Sequence, residues 1–202
     1  MKIKICGVST IKEYLQCIKA QINYIGFNFY NKSKRYINYK KAKAIIKSNK
    51  SNISKTVGVF INPKITTLNK ILSKVPLDLI QVNNDWHKHT THIKTTPIIR
   101  CFNIKTPTPK IIKTINNTPQ KLIIDSHAKH KKEPRKKFNW NILKKLNTCN
   151  MFIAGGININ TLQYIINNFK PYGIDIASGS ENKNKKCLKK ITQLKNNHDY
   201  KI

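Results

Sequence analysis

The sequence predicts an α/β protein folded as a closed (β/α)8 barrel, a TIM barrel, in one compact domain over residues 1–202. Three observations carry this. Eight short apolar runs alternate with helix-like stretches at intervals of roughly 20 to 30 residues, the pattern of a parallel sheet with crossover helices. A count of eight favours a closed barrel over an open doubly wound sheet. The last two runs end in Gly155-Gly156 and Ser178-Gly179, small residues at the strand ends where barrels build their sites. The 202 residues are lean beside the ~250 typical of such barrels, yet enough for one hydrophobic core.

Taken in order, Lys2 to Cys6 alternates Lys and Ile with the period of a strand and turns at Gly7. Ile11, Tyr14, Leu15, Ile18 and Ile22 fall on one helical face, with Ser9 or Thr10 placed to cap it. Tyr24 to Phe29 is the second strand and Tyr39 to Ile46 the helix after it. Thr56 to Ile61 and Leu77 to Val82 are strands three and four, with a helix over Thr67 to Val75 between them. A His-bearing segment of weak patterning follows. Pro97 to Phe102 is the fifth strand, Pro109 to Ile115 a helix and Leu122 to Asp125 the sixth strand.

After Asp125 comes SHAKHKKEPRKK, in which Ala128 is almost the only apolar residue; such a stretch reads as a mobile loop or lid, not a core element. Asn141 to Leu146 is a short helix. Met151 to Ala154 and Gly173 to Ala177 are the last strands, and Lys185 to Leu194 is the final helix.

Composition narrows the function classes. No run approaches the ~20 apolar residues of a membrane span, and MKIKICGV has no signal-peptide pattern; a cytoplasmic protein is expected. Cys6, Cys17, Cys101, Cys149 and Cys187 are scattered, with no CxxC pair, so neither a zinc site nor a disulfide framework is indicated. His87, His89 and His92 have no Cys or acidic partner in a ligand motif. No metal and no cofactor is expected.

A net charge of +31 invites a nucleic-acid reading, because lysine-rich surfaces bind phosphate backbones by counterion release. The excess is nearly all Lys, however. Arg35, Arg100 and Arg135 are the only arginines, and abundant Lys, Asn and Ile are what AT-rich codons produce. No RNA-recognition or helix-turn-helix pattern is present. No specific nucleic-acid partner is expected, and a monomer is favoured.

The residues closing the strands carry the chemistry. Gly155, Gly156, Ser178 and Gly179 end two consecutive strands and leave backbone N–H groups open, an arrangement suited to a phosphate. A glycine pair alone reads equally as a turn; two on neighbouring strands favour the anion site. Period-two geometry puts Lys2, Lys4 and Cys6 on one face of strand one and Ile3 and Ile5 on the other. The isoleucines should face the helices, so Lys4 should point into the barrel below Cys6. There it is expected to pair with Asp175 on strand eight and supply positive potential that favours the Cys6 thiolate.

Read together, the strand ends are KICG (Lys4 to Gly7), GFNF (Gly26 to Phe29) with SKRY (Ser33 to Tyr36), VGVFINP (Val57 to Pro63), DLIQ (Asp78 to Gln81), Asp125-Ser126, AGG (Ala154 to Gly156), and PYGID (Pro171 to Asp175) with Ser178-Gly179 and Glu181. In this order the set resembles the phosphoribosylanthranilate isomerases of tryptophan biosynthesis, from Lys2 to the final helix. The resemblance implies an aldose-to-ketose (Amadori) rearrangement of a small phosphoribosyl substrate, without metal or cofactor. It makes Cys6 the base and Asp125 the acid, with Arg35 at the anthranilate end. Gln81 and Asp175 join the substrate-binding set, and Gly155, Gly156, Ser178 and Gly179 match the phosphate site. On sequence alone Asp125 also reads as a helix cap or surface carboxylate, and Arg35 as a solvated loop charge.

The chain departs from the family pattern in three places. Val82, Asn83 and Asn84 stand where the family has Leu-His-Gly. A glycine-free KHKKEPRKK stands where it has a glycine-rich loop before Phe138-Asn139-Trp140, and Ala177-Ser178-Gly179-Ser180-Glu181 where it has Ser-Ser-Gly-Val-Glu. A second enzyme reading, the similar isomerase of the histidine pathway, uses Asp at the position of Cys6. A drifted, low-activity barrel or a basic nucleic-acid-binding protein is the remaining alternative.

Overall fold

The structure is a computed structural model that describes residues 1–49, 53–83, 86, 93, 96–104, 108–125 and 140–199. Its strands are β1 (Lys2–Cys6), β2 (Tyr24–Asn28), β3 (Lys55–Phe60), β4 (Leu79–Asn83), β5 (Ile98–Asn103), β6 (Leu122–Asp125), β7 (Met151–Ile153) and β8 (Gly173–Ile176). All eight pair in parallel with their sequence neighbours, and β8 closes on β1. The expected (β/α)8 barrel is therefore the observed fold. The helices are α1 (Ile11–Lys19), α2 (Tyr39–Ser48), α3 (Ile65–Leu72), α4 (Pro109–Asn116), α5 (Ile159–Phe169) and α6 (Leu188–Asp199).

The strand alternation sorts the core into two shells. Ile3, Ile5, Ile25 and Phe27 face outward and pack with helix residues such as Tyr14, Cys17, Ile45, Leu68, Leu162 and Ile191. Tyr24, Val57, Leu79, Ile99, Cys101, Ile123 and Phe152 face inward and fill the barrel. Each fully buried Ile or Leu contributes about 1.5–3 kcal/mol, so the sheet–helix shell carries most of the stability. Tyr24 and Tyr172 close the lower interior with their hydroxyls 3.0 Å apart, both edge-on to Phe152, and Lys121 donates to the Tyr172 hydroxyl at 2.8 Å.

The helix starts follow capping chemistry. Thr10 accepts from the Glu13 N–H while Glu13 reaches back to the Thr10 N–H, a capping box for α1. Asn158 and Thr161 form the corresponding box of α5, and α4 begins with a Thr108 cap and Pro109 in its first turn.

Several element boundaries differ from the sequence expectation. Helix α1 stops at Lys19 because Ala20 caps it and Gln21 turns into positive φ, so Ile22 lies outside the helix. Helix α3 is Ile65–Leu72, shifted two residues toward the N-terminus. Trp140–Lys145 is a 3-10 helix. Lys185–Lys186 (β10) is not the start of the last helix; it pairs antiparallel with Glu181–Asn182 (β9), and α6 begins only at Leu188. Lys183 and Asn184 both adopt positive φ in that hairpin turn, a geometry Asn tolerates better than most residues.

The segment 126–137 expected as a lid, the residues Phe138 and Asn139, and His87, His89 and His92 lie outside the described residues. No helix among the described residues is long and apolar enough to cross a membrane.

Candidate active site

Strand β1 brings Lys4 and Cys6 to the inner face, as the Lys–Ile alternation requires. Lys4 is completely buried, and its ammonium donates to Asp175 Oδ2 at 2.7 Å. The two residues are register partners on β1 and β8, so the pair is built by strand alignment rather than by long side chains searching for one another. Burial opposes the Lys4 charge, but Asp175 and then Cys6 more than offset it and hold the ammonium above its usual pKa. Among the described residues, Asp175 Oδ1 has no hydrogen-bond partner.

Cys6 sits directly above Lys4, beside β2. A Cβ on Gly26 would come within 3.2 Å of the Cys6 sulfur and 3.4 Å of the Lys4 ammonium; the missing side chain of Gly26 makes the space that the thiol and ammonium occupy. Lys4 supplies the expected positive potential at the thiol without setting the outcome. Lys4 and Lys186 do lower the Cys6 pKa, but burial is the larger effect and Asp175 adds to it, so the thiol titrates above its ordinary value. Lys4 is the largest influence favouring the thiolate, but Asp175 opposes it and desolvation exceeds it.

Asp125 ends β6, three strands from β1 around the barrel, and is partly buried at the mouth. Cys101 on β5 lies beneath: burial first, then Asp125 and Asp175, push its thiol up. The buried Gln81 side chain on β4 reaches this thiol, and its Oε1 has no hydrogen-bond partner among the described residues. An inner polar layer thus runs through Lys4, Asp175, Cys101 and Gln81, capped by Cys6 and Asp125.

Gly155 and Gly156 both adopt positive φ after β7, and open space lies where a Gly156 Cβ would be. Ser178–Ser180 forms a single 3-10 turn after β8. Gly179 packs so tightly against the Ile157 carbonyl and the Asn158 backbone that no Cβ fits there. The two loops therefore meet through bare backbone, and a cavity of about 380 Å³ lies against Gly156, Asn158, Ser178, Gly179, Lys190 and Gln193. Helix α5 begins at this cavity, so the positive end of its dipole faces the space.

Arg35 follows β2 and turns its guanidinium side-on to Glu181: Nε donates to Oε1 at 2.5 Å and an Nη to Oε2 at 2.8 Å. Lys186 also donates to Glu181 Oε1, at 2.9 Å. Burial would raise the Glu181 carboxyl, but the hydrogen bonds from Arg35 and Lys186 hold it at about 2.

The barrel mouth thus presents a thiol, a carboxylate, an arginine fork and a cavity lined by bare backbone. The family model for N-(5'-phosphoribosyl)anthranilate (PRA) isomerase matches residues 3–197. The chain belongs to the phosphoribosylanthranilate isomerase family. It is 32% identical over 194 residues to the N-(5'-phosphoribosyl)anthranilate isomerase of Streptococcus mutans, covering 96% of each chain. With the Aquifex aeolicus enzyme it shares 32% identity over 199 residues, again 96% of each. The fold superposes on the phosphoribosyl anthranilate isomerase of Thermus thermophilus with a TM-score of 0.82 at 22% identity over 98% of both chains. It also superposes on a phosphoribosyl anthranilate isomerase in complex with reduced 1-(o-carboxyphenylamino)-1-deoxyribulose 5-phosphate, with a TM-score of 0.79 at 21% identity over 98% of both.

Within this isomerase family framework, the structure brings Lys4, Cys6, Asp175 and Gly26 into one cluster and Gly156, Ser178 and Gly179 around another. Gln81 is drawn into the interior beside Cys101 rather than standing at the rim. Sequence reasoning missed Glu13, Lys186 and the partnership of Glu181 with Arg35. Glu13 is nearly buried and accepts from Ser9 N, Thr10 N and Lys186 N. Its signal was legible: Thr10-x-x-Glu13 is a capping box. For Lys186 no signal existed among so many lysines.

Proposed function

We propose that the chain, working as a single barrel domain in the cytoplasm, isomerises N-(5-phosphoribosyl)anthranilate to 1-(2-carboxyphenylamino)-1-deoxyribulose 5-phosphate in tryptophan biosynthesis. Membership of the isomerase family supports the reaction. The observation that carries the residue assignment is a thiol and a carboxylate at the mouth of a barrel whose seventh and eighth loops meet as a bare-backbone anion cradle.

In this reading Gly155, Gly156, Ser178 and Gly179 hold the ribose phosphate, with the α5 dipole adding attraction for the dianion. Arg35 already donates to Glu181 through Nε and one Nη; the remaining edge of its fork is available for the anthranilate carboxylate, a geometry lysine cannot supply. Asp125, as the protonated acid, gives its proton to the ring oxygen while the bond from that oxygen to carbon 1 breaks. The nitrogen lone pair forms the iminium. Cys6, as thiolate, takes the proton from carbon 2, and the electron pair moves into the iminium to give an enolamine. Tautomerisation of the enolamine yields the ketose: carbon 1 gains a proton and the enol oxygen loses one, so that over the cycle Cys6 gives up the proton it took and Asp125 recovers the one it gave. Atoms and electrons balance with no outside oxidant.

The buried Lys4–Asp175 pair underlies the site, and the unsatisfied Asp175 Oδ1 is a ready acceptor for a substrate hydroxyl or amine. Consumption of freshly made phosphoribosylanthranilate, followed by its fluorescence, tests the proposal. The wild-type chain should turn over. Cys6→Ser and Asp125→Asn should each lose about 10²–10⁴-fold in kcat, the usual worth of a general acid or base, while still folding. An inactive wild-type chain that instead binds RNA tightly at high salt overturns the reading.

A further inference from the structure

Among the described residues, a second concentration of buried charge, besides Lys4 and Asp175, lies in the β9–β10 hairpin. Lys186 is 6% exposed and Glu181 8%. The Lys186 ammonium donates to Ala177 O at 2.8 Å and to Glu181 Oε1 at 2.9 Å. Its backbone N–H donates to Glu13 Oε1 at 2.9 Å, while the other oxygen of Glu13 takes the N–H groups of Ser9 and Thr10. The hairpin is thereby bolted to the loop that immediately follows Cys6.

Arg35 reaches the same loop from the other side. Its aliphatic stem crosses Gly7, whose φ is +83° and where a Cβ would collide with the Arg35 Cδ. Arg35 and Lys186 therefore flank the segment next to the thiol, and both lie within electrostatic reach of it.

Charge balance separates this group from a plain structural ion pair. Arg35 and Glu181 would suffice to pin the hairpin, whereas a second, nearly dry cation carries a desolvation cost that a single carboxylate already shared with Arg35 does not fully offset. The groups facing Cys6 are Lys4 from β1, Asp175 from β8, Arg35 from the loop after β2, and Lys186 with Glu181 from the hairpin. At the thiol the favourable effect of Lys4 exceeds the opposing one of Asp175. Arg35, Lys186 and Glu181 sum to one positive charge, and Glu13, the other carboxylate at the hairpin, takes the Lys186 N–H rather than its ammonium.

We propose that Lys186 is a positioning residue of the isomerisation: through Glu181 it fixes the Arg35 fork, and it leaves a net positive charge that favours the Cys6 thiolate. This role rests on Cys6 acting as the base. The Lys186 charge, like that of Lys4, opposes the burial that raises the thiol.

The test reads the thiol directly. The rate of Cys6 alkylation by iodoacetamide is followed against pH by peptide mass spectrometry in the wild-type chain, Lys186→Met, Lys186→Arg and Glu181→Gln. In Lys186→Met the midpoint should rise by about one unit, and kcat at neutral pH should fall about tenfold and recover toward alkaline pH. Lys186→Arg should keep the wild-type profile. Glu181→Gln, which removes the anion and leaves both cations, should move the midpoint down, so a fold defect in one variant does not shelter the idea. Alkylation curves that coincide in all four chains overturn the role of Lys186 even if turnover changes. A wild-type chain with no isomerase activity overturns the underlying reading instead, a result the alkylation curves do not depend on.

Discussion

Lys4 and Asp175 meet inside the barrel at 2.7 Å, on directly paired positions of β1 and β8, with Lys4 wholly shielded from solvent. Such a pair is costly to assemble and costlier to break, because removing one partner strands a buried charge. Lys4→Met should therefore destabilise the chain by about 3–5 kcal/mol. The double variant Lys4→Met with Asp175→Leu should recover most of that loss. Urea unfolding of the two variants, read as a shift in midpoint, checks both expectations.

The contact of Gly179 with Ile157 O leaves no room for a methyl group. Gly179→Ala should push the two phosphate loops apart, costing about 1–3 kcal/mol of stability through overpacking. It should also raise KM about tenfold through the loss of aligned phosphate donors, one lost charge-assisted hydrogen bond being worth ~1.5–3 kcal/mol. Steady-state kinetics and inhibition by inorganic phosphate report the binding part, and a thermal melt reports the rest. An unchanged KM would remove the cradle assignment.

The depressed Glu181 pKa, about 2 against an ordinary 4.5, has a definite sign in stability. The carboxylate stabilises the fold above its unfolded pKa, and that contribution disappears as the pH falls from about 4.5 toward 2. After allowance for solvent screening it is on the order of 1–2 kcal/mol. Glu181→Gln should lose this acid limb, so the stability difference between wild type and variant should narrow steadily between pH 5 and pH 2. Unfolding midpoints measured across that window decide it, and a constant difference would contradict the pairing.

Arg35→Lys keeps the charge and removes the fork. It cannot hold Glu181 side-on and a substrate carboxylate end-on at once. KM for phosphoribosylanthranilate should rise about tenfold or more, the size of one lost charge-assisted hydrogen bond, with a smaller change in kcat. A variant that changes only kcat would place Arg35 away from the anthranilate carboxylate.

The architecture was legible because strand alternation and helical spacing are local properties. The Lys–Ile repeat of β1 fixed which way Lys4 points, and its only inward neighbour of opposite charge on β8 was Asp175. The glycines after β7 and Ser178-Gly179 after β8 were equally visible, since a bare-backbone loop needs small residues. Helix ends were less legible: the apolar face of α1 continues to Ile22, while capping by Ala20 and the positive φ at Gln21 end the helix earlier.

Sequence by itself determined the barrel, the inward placement of Lys4 and Cys6, and the family, because each depends on periodicity or on short strings at strand ends. Only the tertiary structure decided what the charges do. Among 39 Lys and Arg residues, nothing local marks Lys186 as buried. It becomes so because an unforeseen hairpin folds it onto Glu181 and Glu13, residues 5 and 173 positions away. The same holds for Cys6: its neighbours favour a thiolate, but desolvation, which exists only once the barrel closes around it, outweighs them.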